Sequence, residues 1–267
     1  MQEYIKVDQY LHQLVQVIAK ANRTFVQEKE DDSHTNLYFD SLGEKIYGRW
    51  IKVQEKRIIL ALNLTAYTFE IIDEHFKKPV NFPINGQKIA GLEKVMRQGL
   101  DEIGLETSGF LARLHFEITE YPFREKPFGL LPEAGLEHWK KIRKIANESC
   151  QHLLGFLQVE GEIRIWPHHF DTGIYIEPNA DLGIGFGLAM ADPMESSPYF
   201  YLYGYALGSD ELKFEDLPEI DTGRWEINEN WKGAILPIDT FNSMNESEIM
   251  NLIFSFMISS VSWYLNQ

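Results

Sequence analysis

The sequence predicts an α+β protein in which antiparallel β-sheet meanders pack against amphipathic helices, and three observations carry that prediction. Four stretches repeat apolar residues at helical spacing, one near each end and two between. Short runs rich in aromatic and β-branched residues, separated by turn-like or charged stretches, fill the chain between them. Two of those runs, 182–188 and 198–205, alternate strictly and match each other as hairpin partners.

Val7, Tyr10, Leu11, Leu14, Val17, Ile18, Ala21 and Phe25 place the first helix over 7–27, ended by the charged turn Glu28-Lys29-Glu30-Asp31-Asp32. Strands are expected at 36–40, 45–53 and 57–64, with another at 67–72. Pro79, Pro83 and Asn85-Gly86 then punctuate the chain. Ile89, Leu92, Val95, Met96, Leu100 and Ile103 mark a second helix, with Gly104 placed to end it. A strand is expected over Leu111 to Thr119. After the Pro122, Pro127 and Pro132 connection, Leu136, Trp139, Ile142, Ala146, Cys150, Leu153 and Leu157 define a long third helix. Strands dominate from Glu162 to Tyr205. The last helix starts at Asn245, where Asn-x-x-Glu through Glu248 forms a capping box, and runs to Leu265. Its polar residues Asn251, Ser255, Ser259 and Ser262 share one narrow stripe, so the expectation is a buried helix with Ile249, Leu252, Ile253, Phe256 and Val261 on its core face.

The order helix, strands, helix occurs twice, and Phe39-Asp40 precedes its strands much as Phe170-Asp171 does. With 267 residues the chain reads as one α+β domain, 1–267, with 1–125 and 126–267 as its two halves. Acidic residues outnumber basic ones 40 to 25, for a formal charge of -15, and a surface of that sign repels phosphate backbones and anionic headgroups. The expected partners are therefore a small molecule or another protein, with no nucleic acid and no membrane. Eight carboxylates lie between Asp210 and Glu229, and such a run reads as a solvated loop. Cys150 is the single cysteine; on the apolar face of a helix it reads as a structural thiol. The N-terminus lacks the order of a signal peptide and no apolar run approaches a membrane span, so the expected location is cytoplasmic.

The densest cluster of chemically capable side chains is Trp166-Pro167-His168-His169-Phe170-Asp171-Thr172-Gly173. In a strand, His169 and Asp171 share a face, as do His115 and Glu117. Two such pairs could ligate a divalent metal through four N/O donors, with Glu120 and His34 as extras, or orient an imidazole by a carboxylate for general-base work. The plainer reading is that each carboxylate simply hydrogen-bonds its imidazole or a backbone N–H. Similarly, Glu162 and Arg164 read as an ion pair.

Leu182-Gly183-Ile184-Gly185-Phe186-Gly187-Leu188 puts three glycines on one strand face, and Tyr199, Tyr201, Tyr203 and Tyr205 line one face of the partner run. Paired antiparallel, Tyr201, Tyr203 and Tyr205 cover Gly187, Gly185 and Gly183. Two readings follow: the rings shield bare backbone, or the face forms a shallow slot for a ligand. The glycines lie inside a strand and are no dinucleotide fingerprint. No Gly-x-Ser-x-Gly elbow, Walker loop, His-Glu-x-x-His helix or EF-hand loop is present.

Leu11-His12 with Gln16 and Lys20, Leu37-Tyr38, Phe116-Glu117-Ile118 with Pro122-Phe123, Phe170-Asp171 and the row Tyr199 to Tyr205 together resemble a bacterial domain-of-unknown-function family of cytoplasmic proteins of similar length. The resemblance implies a single α+β unit and no known activity. That family has a Phe-Trp-Gly type of sequence where this chain has Trp166-Pro167-His168-His169, which favours incidental histidines over a shared chemistry. The expected function is binding of a small molecule or protein partner at Trp166–Gly173 and the tyrosine face, through Trp166, His168, Tyr199, Tyr201, Tyr203 and Tyr205. The alternative is a metal-assisted or acid–base hydrolase using His115, Glu117, His169 and Asp171, with His169 and Asp171 as its catalytic pair.

Overall fold

The structure is a computed structural model that describes residues 1–77, 80–208 and 211–267. Pro79, read as punctuation, and Asp210, the first carboxylate of the acidic run, lie outside the described residues. In chain order the elements are α1 (Gln2–Phe25), β1 (Tyr38–Asp40), β2 (Lys45–Tyr47), β3 (Ile51–Val53), β4 (Lys56–Asn63), β5 (Thr68–Asp73), β6 (Val80–Pro83), α2 (Ile89–Glu102), α3 (Glu133–Leu157), β7 (Arg164–Trp166), β8 (Asp171–Asn179), β9 (Leu182–Ala189), β10 (Tyr199–Ala206), β11 (Arg224–Ile227), β12 (Lys232–Pro237) and α4 (Glu246–Leu265). The α+β class with antiparallel sheets is what the periodicities predict. The strand expected over 111–119 is absent, because 103–132 is irregular chain. β6, β11 and β12 were not foreseen.

Two compact units divide the chain. One comprises Gln2–Lys140 with Ile165–Phe170, and the other Lys141–Arg164 with Asp171–Gln267 and Met1. The division falls inside α3 and not near residue 125, because 165–170 returns to the first unit.

In the first unit the sheet runs β1-β2-β4-β5-β6, with β3 continuing the pairing along β4. Each neighbour is antiparallel, with Ile46 opposite Leu62 and Leu60 opposite Ile71. α1 packs on β3 and β4, and α2 on β6. Phe39, Leu60, Leu62, Phe69 and Ile71 are fully buried core residues of this unit. Asn22 fixes the chain leaving α1: its amide donates to the carbonyls of Thr35 and Asn36 and accepts from the Arg49 N–H.

In the second unit the strands run β11-β12-β10-β9-β8. Leu182, Ile184, Phe186 and Leu188 from β9 join Phe200 and Leu202 from β10 and Ala234 and Leu236 from β12 on one buried face. α4 packs on β10 and β12, and the Tyr264 ring lies over Gly204. The capping box at Asn245 and Glu248 is present. Ile249, Ile253, Phe256 and Val261 are buried as expected, joined by Met257, Ser260 and Tyr264, while Leu252 is only half-buried. The expectation that no apolar run approaches a membrane span is corrected by α4, which is long and apolar enough by length and composition alone. The helix is also less buried than expected: 39% of its apolar stretch is buried, and Phe254 is exposed. Arg143, fully buried on α3, donates to Thr172 Oγ1 at 2.8 Å. Cys150 is buried and its thiol faces the Phe186 carbonyl, with burial raising its pKa, as a structural thiol should behave.

Candidate functional site

The turn at 167–170 is held by a polar stripe on α1. Asp8, His12, Gln16 and Lys20 recur every four residues and so share one face of the helix. The Gln16 amide donates to the Pro167 carbonyl at 2.7 Å, and His12 Nε2 lies 3.0 Å from the same oxygen. A carbonyl can only accept, so Nε2 carries the proton and Nδ1 accepts from the Tyr121 hydroxyl at 2.7 Å. Burial raises the Tyr121 pKa, with the Asp8 charge adding to it, which keeps that donor protonated. One neutral tautomer of His12 therefore satisfies both partners.

Phe170 closes the turn: its N–H donates to the Trp166 carbonyl at 2.6 Å, and its φ of 55° lies in the left-handed region. An aromatic residue there costs on the order of 1–3 kcal/mol, offset by the burial of its ring. That ring stacks on His12 at 5.4 Å and on Trp139 at 6.0 Å. Trp139 also meets Phe39 edge-on at 5.2 Å and donates to Asp8 at 2.7 Å. Both Phe-Asp motifs thus place their phenylalanine against the same indole.

This rigid base presents His168 and His169. A regular strand would set adjacent residues on opposite faces, but in the turn their ring centroids are 4.3 Å apart. His168 is half-buried and tilts against Phe116 at 5.4 Å. Its pKa is lowered to about 4, first by burial and then by the neighbouring His169, with Asp32 opposing and His115 reinforcing the shift. No hydrogen bond from a described residue contributes to that shift. His168 is a neutral imidazole at physiological pH, with one donor and one acceptor nitrogen.

The two histidine–carboxylate pairs are not built as expected. His115 lies in irregular chain, where alternate residues need not share a face, and its Nε2 is 3.0 Å from Asp32 Oδ2 instead of pairing with Glu117, which is exposed. His169 and Asp171 straddle the left-handed Phe170, so strand spacing does not apply to them. Asp171 accepts from the Tyr201 hydroxyl at 2.5 Å. Among the described residues no group of three or more His, Cys, Asp or Glu side chains is placed to hold a metal ion. Glu120 pairs with Arg124, His34 accepts from the Lys29 N–H, and Glu162 and Arg164 form the expected ion pair.

The tyrosine row lies in the second unit with the expected register, Tyr201 opposite Gly187, Tyr203 opposite Gly185 and Tyr205 opposite Gly183. Its rings fill the glycine side of the sheet. A Cβ on Gly187 would meet Tyr201 Oη at 2.8 Å, and one on Gly185 would meet Tyr203 Oη at 2.5 Å. Gly183 departs from the expectation: Tyr175 of β8 covers it, and Tyr205 is 53% exposed. Tyr199 donates to Asp192 and packs with Tyr201 and Ile235. Rings lying on the glycines shield backbone and occupy the space a slot would need. Trp166, next to the turn, is half-buried.

His12, Gln16, Tyr121, Phe116 and Asp32 complete the histidine turn, and none was singled out as a site residue. The signal for His12 and Gln16 was present: polar residues four apart inside an otherwise apolar helix face. No protein-family profile, curated protein or solved structure matches the chain.

Proposed function

We propose that the chain is a binding protein whose recognition group is the His168 imidazole, taking a small planar molecule that carries a hydrogen-bond donor beside an acceptor. The observation that carries the reading is the state of His168: half-buried, held neutral, flanked by the Phe116 and His169 rings, and mounted on a turn fixed by His12 and Gln16. A neutral imidazole offers both hydrogen-bonding roles. The flanking rings offer faces for stacking, which favours a planar partner. A fixed turn keeps the ordering cost of binding low.

The hydrolase alternative is less well supported. His115 lies against Asp32 instead of Glu117, and among the described residues no group of three or more His, Cys, Asp or Glu side chains is placed to hold a metal ion. The tyrosine face moves from binding surface to structural shield for the reason already given.

The test is thermal denaturation with a panel of pyrimidine, purine and pyridine-carboxamide fragments. A fragment present at ten times its Kd should stabilise by about 1.4 kcal/mol, and His168→Ala should abolish that shift while the variant still melts cooperatively. Stabilisation that persists in His168→Ala, or none from any member of the panel, would overturn the reading.

A further inference from the structure

The first unit carries a second exposed feature, at the β3–β4 hairpin and the turn after β5. Phe76 is 72% exposed and sits at φ 59°. A bulky aromatic in the left-handed region is an uncommon conformation, and here the ring projects into solvent, so burial gives nothing in return. The turn is nevertheless well defined: the Phe76 N–H donates to the Asp73 carbonyl, and the Asp73 carboxylate accepts from the N–H groups of His75 and Lys77. Trp50, 39% exposed, meets Phe76 edge-on at 6.4 Å, and the Arg57 guanidinium lies 5.5 Å from its ring. Exposed tryptophan, arginine and phenylalanine in one cluster is the composition of an interface centre.

The charge around this cluster is opposite to that of the whole chain. Residues 49–57 hold Arg49, Lys52, Lys56 and Arg57 against Glu55, in a protein with 40 acidic and 25 basic residues. Lys52 and Arg57 stand directly opposite each other on paired strands, an arrangement that costs stability unless an anion meets it. Glu74 pairs with Arg57 at 3.4 Å, while Lys52 and Lys56 are exposed to solvent.

The complementary surface is in the chain itself. Between 211 and 229, Glu211, Glu215, Asp216, Glu219, Asp221 and Glu229 are exposed, and Ile227 adds a 40% exposed apolar side chain among them. We propose that the Trp50–Arg57–Phe76 patch docks the acidic stretch 211–229 of a second copy of this chain. The net charge does not forbid it, because charges further apart than about 8 Å are screened at physiological salt while contacting charges are not.

Sedimentation velocity at physiological salt, over concentrations from about 1 µM to about 500 µM, tests the proposal. The expected result is a species heavier than the 31.1 kDa monomer whose dissociation constant rises about tenfold or more in Trp50→Ala and in Phe76→Ala. Lys52→Glu with Lys56→Glu, both at exposed positions, should leave the circular dichroism unchanged and abolish association. Mixing that variant with Glu215→Lys/Asp216→Lys should restore a mixed complex. A monomer throughout the range, association unmoved by these substitutions, or failure of the mixed charge reversal to restore it would overturn the proposal.

Discussion

Replacing Gly185 by alanine should destabilise the protein, although the same change usually does the opposite. Where the backbone is compatible, Gly→Ala stabilises by about 0.4–1 kcal/mol by restricting the unfolded chain. Gly185 lies in β9 without a left-handed φ, so its backbone accepts alanine. The sign is decided by Tyr203, whose Oη and Cε1 would lie 2.5 and 2.7 Å from the new Cβ. That ring cannot swing aside freely. It stacks on Tyr201 at 5.6 Å and meets Tyr205 at 4.9 Å and Trp231 at 6.2 Å, contacts worth about 0.5–1.5 kcal/mol each. Overpacking of this kind costs about 1–3 kcal/mol, leaving a net loss of roughly 1–2 kcal/mol after the backbone gain. At about 2–4 °C per kcal/mol, circular dichroism melts should show a fall of several degrees. Gly155→Ala is the control: in α3, with nothing within 4 Å of an added Cβ, it should stabilise by about 1 kcal/mol. In a Tyr203→Ala background, Gly185→Ala should lose its penalty. A Gly185→Ala protein that melts at or above the parent temperature would refute the shielding argument.

His12→Ala should cost about 2 kcal/mol or more, because the Tyr121 hydroxyl loses its acceptor and Phe170 its stacked ring; urea unfolding of the variant measures it. His168 makes stability pH-dependent in a defined direction: the unfolded imidazole takes up a proton below about 6.5, the folded one only near 4. Its contribution is therefore complete above about 6.5 and declines as pH falls toward 4, and an NMR titration of this ring should find no protonation midpoint near 6.5. Cys150 should resist a thiol reagent in the native protein and react on denaturation, since burial raises its pKa; rapid native labelling would contradict its placement. Asn245→Ala should lower stability by about 1 kcal/mol by removing the cap of α4, read from the same thermal melts.

Much of the fold was legible because periodicity records which face of an element is buried. The helices, the β9–β10 register and the capping box of α4 follow from spacing alone. The expected strand over 111–119 failed because Leu111-Ala112-Arg113-Leu114-His115-Phe116 has strand-like composition, yet no described neighbouring strand pairs with it. β11 and β12 were hidden by the acidic residues around them, where pairing of β12 with β10 and of β11 with β12 outweighs weak local propensity. At the site, the segment 166–173 was legible as a cluster of polar side chains, but its geometry was not. A buried left-handed Phe170 leaves no mark in composition, and it converts a presumed strand into a turn. Tyr175 over Gly183 was missed for a related reason, since it comes from a third strand outside the matched pair.

The central claim is that a neutral His168 imidazole is the recognition group, and its ring nitrogens report on this directly. The measurement is a histidine side-chain 15N–1H NMR spectrum at neutral pH, recorded before and during titration with the pyrimidine, purine and pyridine-carboxamide fragments. The account predicts one protonated and one unprotonated nitrogen in His168, both shifting saturably with a binding fragment while the His12 signals stay in place. A cationic His168 at neutral pH, or saturable shifts that bypass it, would contradict the account.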